Sequence, residues 1–373
     1  MGRLTSALVG CCTVAGIFAA VLSTAEAADS QLVASLKQRA QEMKPFSVRV
    51  IGFPTATSEW GFIQKPFWNE AVKELGAGKV TVQLNSMSEL NLQGAEVFRL
   101  TSQGTFDIAD TVANYGAGEL PQLDGLDLAG VAPSFELERK VLQAYRPVVE
   151  QALKDRFGLV LLGVAHSTAQ MFFCKPEVKS VADLRGKKVR LTSSTLADVV
   201  SGLGATPVTM PFAEAIPAMQ RGVVDCMITG TMSANTAKVY EVGDYAFPLV
   251  VGWAPHVRMV NRRFWDRLDD AQRQWLQDAS TYYFREMSDP IEERNTNEGL
   301  WCSTGDSRCT LDGQFGVKKA TMKTAQPSEA DLKTLRDVVQ SKVLPAFARG
   351  CGAPCAESWS QTAGQVTGLK AAP

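Results

Sequence analysis

The sequence predicts an α/β protein of two lobes, with mixed, mostly parallel sheets, a hinge of crossing strands, and C-terminal helices that buttress the lobes. Three observations predict it. Strand-like and helix-like stretches alternate through most of the chain, which is the pattern of parallel crossovers. Two long apolar runs, GLVLLGVAH (158–166) and DYAFPLVVGW (244–253), read as strands that cross between lobes. A length of 373 residues is enough for two domains with cores of their own.

The elements follow in chain order. Residues 1–27 read as an export signal: Arg3 supplies positive charge, 7–22 is largely apolar, and Ala25-Glu26-Ala27 is a small-residue cleavage site before Ala28. An uncleaved anchor is the alternative reading. The lipobox-like stretch at 8–11 leaves too few apolar residues before Cys11 for an ordinary signal core. No later run reaches the roughly 18 consecutive apolar residues of a membrane span. VRVIGF (48–53) is a strand ending in a Pro-Thr-Ala-Thr-Ser loop, 62–75 has helical spacing, and KVTVQLN is a second strand. A helix is expected over 93–103, a buried strand over 106–112 and an amphipathic helix over 135–157. Residues 188–191, 204–210 and 223–228 read as strands, and 194–203 and 232–239 as helices. Helical periodicity returns over 264–288 and 328–350, with Ser328 and Asp331 at capping-box spacing. The expected organisation is lobe I from 28–165 plus about 254–290, lobe II from 166–253, and a C-terminal helical and disulfide-loop region from 291–373.

Composition narrows the functional classes. A net charge of -1 with 21% charged residues argues against a polyanionic partner such as nucleic acid. Removal of the signal takes away Cys11 and Cys12 and leaves Cys174, Cys226, Cys302, Cys309, Cys351 and Cys355, an even count suited to disulfides in an oxidising compartment. Cys302–Cys309 and Cys351–Cys355 are expected as local pairs among turn-forming residues. Cys174 and Cys226, each ending an apolar strand-like run, are expected to pair across neighbouring strands. Zinc is disfavoured because only two histidines, His166 and His256, are available, and no second close cysteine pair completes a tetrahedron. No cofactor is implied.

The segment 180–230 is the most informative. It reads strand, helix, strand, and in open α/β sheets the loops at the carboxyl ends of strands form the ligand crevice, which puts Arg190 and 192–195 there. The elements ADLRGKKVRL, GATPVTMPFAEAIPAMQRGVVD and the earlier QGTFDIAD resemble the solute-binding proteins of tripartite ATP-independent periplasmic (TRAP) transporters. That resemblance implies a two-lobed periplasmic binding protein fold that closes over an organic acid. It implies delivery of the acid to a membrane permease driven by an ion gradient, with no ATP hydrolysis and no catalysis. The arginine of the matching K-[VI]-R element grips the substrate carboxylate in that family, and Arg190 holds that position here. A guanidinium suits the task because its planar fork can engage both carboxylate oxygens.

One departure bears on the ligand. Many relatives carry a second arginine in the preceding strand, whereas this chain has Gln170 near that place, which favours a monocarboxylate. Further pocket candidates are Phe53, Thr55 and Thr57 after one strand, Thr111, Asn114 and Tyr115 after another, Thr229 and Thr231 in the second lobe, and Trp253 at the second crossing. Phe53, Tyr115 and Trp253 would favour an aromatic or branched acid. Glu214 and Asp225 read as helix-cap and turn residues. Two rival classes remain open. A binding protein of an ATP-driven importer shares the two-lobed plan, and an exported cysteine hydrolase would need Cys174 as a thiol near His166.

Overall fold

In the computed structural model, which describes residues 31–372, eleven strands form two mixed sheets. They are β1 (Phe46–Gly52), β2 (Val80–Ser86), β3 (Ile108–Val112), β4 (Leu159–Ala165), β5 (Gln170–Cys174), β6 (Lys188–Leu191), β7 (Thr206–Thr209), β8 (Cys226–Gly230), β9 (Tyr245–Gly252), β10 (His256–Asn261) and β11 (Lys323–Thr324). The expected signal, residues 1–27, lies outside the described residues.

The first sheet has the order β2-β1-β3-β10-β4, with β1, β2 and β3 parallel and β10 antiparallel to both neighbours. The second has the order β11-β9-β5-β8-β6-β7, with β6 parallel to β7 and β8, and β5 antiparallel to β8 and β9. Each sheet thus takes its parallel part from local strand-helix-strand units. The antiparallel strand of the first sheet, β10, comes from a stretch far beyond β4 in the chain, whereas in the second sheet the antiparallel strand β5 directly precedes the parallel unit. The two-lobed α/β fold expected from the sequence is the fold observed.

The crossing strands need correction. GLVLLGVAH does not pass between lobes as a strand: β4 stays within the first sheet, and the chain crosses in residues 166–169 before β5 opens the second. The return is equally short, through residues 253–255 between β9 and β10. An extended strand whose polar backbone is paired on both sides cannot leave its sheet midway without orphaning those groups, so the crossings fall in the loops.

β10 is absent from the sequence reading, although every residue of it is buried. Its pattern, HVRMVN, carries His256, Arg258 and Asn261, which lower its apparent hydrophobicity. The structure satisfies them by specific pairing. Arg258 lies bidentate on Asp110, with Nε donating to Oδ1 at 2.6 Å and Nη2 to Oδ2 at 2.8 Å, while Trp68 Nε1 donates to the same carboxylate at 3.0 Å. The guanidinium stands 3.8 Å from the Tyr283 ring centroid. Two wholly buried charges are tolerated here because each neutralises the other and most of their hydrogen bonds are made.

The helix over Phe135–Phe157 has the expected bounds, with Ser134 as its N-cap. The Ser328–Asp331 capping box is formed. The periodicity over 264–288 is interrupted: Asn261 caps a short helix Arg262–Arg267, and Asp269 starts a new one at Asp270–Tyr282 by a capping box with Gln272. Helix Asp289–Thr304 then packs on helix Thr231–Thr236 so closely that a Cβ on Gly299 would strike the backbone of Thr231 and Met232. Leu335 and Val339 of the C-terminal helices touch Gly130, and Val338 touches Gly202. The C-terminal helices therefore brace both the segment before residue 135 and helix Ser194–Gly202.

Two of the three expected disulfides are present. Cys174 and Cys226 face each other on β5 and β8 and are bonded, and Cys302–Cys309 closes a local loop. Cys351 and Cys355 are free thiols, which corrects the third pairing. Gly352 breaks the helix between them, leaving the Cys351 sulfur 3.7 Å from the Gly352 carbonyl and the buried Cys355 sulfur 3.9 Å from the Tyr145 hydroxyl. Thiol titration of the denatured, unreduced chain lacking residues 1–27 is expected to count two thiols; a count of zero would show that Cys351 and Cys355 bond after all.

Candidate functional site

Between the lobes lies a small cavity of about 40 Å³, adjoining a cleft of about 740 Å³ that shares Pro54, Tyr115, Thr192 and Phe212 with it. The lobes meet on both sides of this space. On one side Ser233 Oγ donates to Glu59 Oε2 at 3.1 Å, Ser58 N donates to Ser233 Oγ at 3.2 Å, and Thr236 Oγ1 donates to the Ala56 carbonyl at 2.9 Å. On the other, Ser194 Oγ donates to Asp124 Oδ2 at 2.5 Å.

Arg190 forms part of the small cavity. It sits on β6 with 1% of its surface exposed, so desolvation is the dominant force on it and lowers its pKa to about 10. Its Nε and Nη2 donate to the Met210 carbonyl at 3.2 and 3.0 Å, and Nη1 donates to the Ile228 carbonyl at 3.3 Å. The Phe212 ring centroid lies 5.6 Å from the guanidinium carbon. Three of the five guanidinium N–H groups are thereby used, and one N–H on each Nη is left over. Among the described residues no carboxylate pairs with Arg190, in contrast to Arg258, and no other Arg or Lys lines the cavity or the cleft.

The structure brings Gln170, Thr229, Phe53 and Tyr115 into the cavity wall beside Arg190, and Asn114 and Tyr115 into the wall of the adjoining cleft. Gln170 Nε2 donates to the Thr168 carbonyl at 3.3 Å. Tyr115 is held against Gly94, where a Cβ would collide with its ring. Burial raises the Tyr115 phenol above its ordinary pKa, Arg190 pulls it down, and Glu59 pushes it up.

Four other candidates lie elsewhere. Thr231 is buried against helix Asp289–Thr304 and donates to the Thr296 carbonyl at 2.8 Å, because the close approach at Gly299 places that helix over it. Trp253 is fixed in the hinge: its Nε1 donates to the Ala132 carbonyl at 2.9 Å, its backbone N donates to Asp127 Oδ2 at 2.8 Å, and Phe135 and His166 pack on its ring. Thr111 is buried on β3 beside Met87, and Thr55 is exposed in the loop after β1. Alternation explains Thr111, since neighbouring strand residues face opposite sides. Asp225 does not close a local turn through its side chain: it accepts from Lys188 N at 2.8 Å, 37 residues away at the start of β6. Glu214 sits in the first turn of helix Phe212–Gln220, on the cleft wall.

Glu59, Ser167 and Ser233 line the cavity and were not singled out from the sequence. Glu59 is 4% exposed and opens the helical stretch over residues 59–75. An acid in the first turn of a helix reads as dipole compensation, which conceals it. The signal that could have found it is its place just beyond the carboxyl end of β1, the same end that singled out Phe53.

The hinge carries a cluster of buried acids. Asp127 accepts from Trp253 N and Ala254 N, yet burial outweighs these bonds and raises its pKa to about 6; burial likewise raises Asp124 to about 6 despite its bond from Ser194. The folded protein thus holds these protons more tightly than the unfolded chain. The stabilisation is complete below the ordinary carboxyl value of 3.8 and is lost as pH rises through about 6. Asn mimics the protonated acid and can still accept from Ser194. Asp124→Asn is therefore expected to gain melting temperature relative to the wild type between about pH 5 and pH 8, checked by thermal unfolding at both.

A cavity between two lobes, with a cation in its wall that no carboxylate pairs among the described residues, defines a class of protein that binds a small molecule in the cleft between its lobes. The chain belongs to the bacterial extracellular solute-binding protein family 7, DctP, whose family model matches residues 56–300. Among curated proteins it is 25% identical over 213 residues to the C4-dicarboxylate-binding periplasmic protein DctP of Rhodobacter capsulatus, covering 57% of this chain and 64% of that protein, so the match stops short of two thirds of the relative's length. Among solved structures, DctP7 of Bordetella pertussis, a solute receptor binding pyroglutamic acid, superposes with a TM-score of 0.72 at 22% identity, covering 85% of this chain and 98% of that one. The periplasmic ectoine-binding protein of the TeaABC TRAP transporter of Halomonas elongata superposes with a TM-score of 0.74 at 17% identity, covering 87% and 100%. These likenesses establish the shared fold.

Proposed function

We propose that this chain is an extracytoplasmic solute-binding protein that captures an organic acid anion, a monocarboxylate, and delivers it to the permease of an ion-gradient-driven TRAP transporter. One observation carries the reading. Arg190 is buried with no counter-ion among the described residues, its guanidinium fixed by two backbone carbonyls with one N–H on each Nη unspent there. A buried charge left unpaired is costly to the fold, and a carboxylate supplied by a ligand removes that cost while making charge-assisted hydrogen bonds. The preference for one carboxylate is supported by the absence of any second Arg or Lys from the lining, with Gln170 offering only a neutral amide.

Export to the periplasm is supported by the signal-like residues 1–27 and by the two disulfides. A binding role in place of catalysis is supported by Cys174, whose sulfur is committed to Cys226, and by His166, whose ring packs on Phe135 at 3.8 Å.

Mass spectrometry of small molecules retained by the purified protein is expected to reveal an organic acid. Arg190→Met, which keeps the bulk and removes the charge, is expected to weaken its binding by about 30-fold or more, since loss of one partner of a buried charged pair costs roughly 2–5 kcal/mol. The ligand-free melting temperature of this variant is expected to hold or rise. A retained molecule without an acid group, or wild-type affinity in the variant, would overturn the reading. Gln170→Arg is expected to shift relative affinity from butanoate toward succinate in calorimetry; an unchanged ratio would remove Gln170 from ligand recognition.

A further inference from the structure

A second buried charge faces the same cavity, and its sign is opposite. Glu59 stands at the start of the helical stretch following β1, while Arg190 is on β6, so the two belong to different lobes. Glu59 Oε2 accepts from Ser58 Oγ at 3.3 Å and from Ser233 Oγ at 3.1 Å. Its Oε1 has no hydrogen-bond partner among the described residues, and no Lys, Arg or His forms an ion pair with Glu59 there. Arg190 and Glu59 do not pair with each other. Behind Glu59, the nearby Glu292 is fully buried with neither carboxyl oxygen hydrogen-bonded; burial, with Glu59 adding to it, raises its pKa well above the ordinary value. Arg294 pulls the Glu292 value down in part, but its guanidinium is held on Asn295 Oδ1 and makes no ion pair with Glu59 among the described residues.

A plain carboxylate would satisfy Arg190 and leave the carboxylate of Glu59 desolvated in the same small space, where like charges repel at low dielectric. A ligand carrying a protonated nitrogen as well as a carboxylate satisfies both walls. It also adds a link between the lobes, because Glu59 already joins them through Ser233. We propose that the ligand is a small zwitterion, its carboxylate held by Arg190 and its protonated amine by Glu59. This inference rests on the solute-binding reading above and specifies the ligand class of the same site.

The test is calorimetry of the whole mature protein with three matched pairs: L-leucine against 4-methylpentanoate, L-proline against cyclopentanecarboxylate, and 4-aminobutanoate against pentanoate. At least one zwitterion is expected to bind roughly tenfold or more tightly than its partner, a difference of about 1.4 kcal/mol or more. Glu59→Gln keeps an acceptor for the Ser58 and Ser233 hydroxyls, and its fold is checked by far-UV circular dichroism. It is expected to erase that preference, whereas Arg190→Met weakens both members of the pair. The inference is overturned if no zwitterion is preferred, if none binds detectably, or if Glu59→Gln leaves the preference intact. Plain acids that bind at least as tightly as their zwitterionic partners, in an Arg190-dependent way, would sink this inference alone, while binding indifferent to Arg190→Met would sink the carboxylate reading as well.

Discussion

The protein contains two arginines buried to the same degree and treated in opposite ways. Arg258 is neutralised by Asp110 and enclosed by aromatic rings, so it behaves as part of the core of the first sheet. Among the described residues Arg190 is hydrogen-bonded only by carbonyl oxygens, with the Phe212 ring near its guanidinium, and desolvation weakens its hold on its proton. Carbonyl oxygens orient a guanidinium and offset part of its lost hydration, but they do not cancel its charge. The fold therefore spends stability to keep a cation ready at one point between the lobes, and the rest of the site is arranged around that point.

Both sheets contribute to holding it there. β7 and β8 flank β6, so the carbonyls of Met210, just past β7, and Ile228, within β8, reach Arg190 from either side. The Cys174–Cys226 bond ties β8 to β5 at the far end of the same ladder from Gln170 and Gly230, which limits how far β8 can shift beneath the guanidinium. Across the cavity, Glu59 and Tyr115 come from the first sheet's loops, with Gly94 admitting the Tyr115 ring at close range. Hydrogen bonds at the Ser233 and Ser194 edges then fix the distance between the two halves. The hinge itself is short and buried, with Asp127 binding the backbone of Trp253 and Ala254.

Much of this was legible without coordinates. The helix over Phe135–Phe157, the strand Lys188–Leu191, the Ser328 capping box and the Cys302–Cys309 pair rest on local patterns or on near neighbours in the chain, and the Cys174–Cys226 pair, 52 residues apart, on two strand-like runs that each end in a cysteine. β10 was not legible, because its polar residues are satisfied by Asp110, Thr101 and Ser288, which lie far away in sequence. The pocket candidates divide along the same line. Phe53 and Thr229 line the cavity, while Thr111 is turned by strand alternation toward Met87, and Trp253 is drawn into the hinge by Asp127 and Ala132.

The sequence by itself determined the alternation of elements, the two-lobed class, the family and the choice of Arg190, since each depends on periodicity, composition or motif within a short stretch. Only the tertiary structure decided that Arg190 has no ion-pair partner among the described residues, that Glu59 faces the same cavity from the opposite lobe, and that Cys351 and Cys355 stay unbonded though adjacent. Charge pairing and burial depend on distances between residues remote in the chain, and no local pattern encodes those distances.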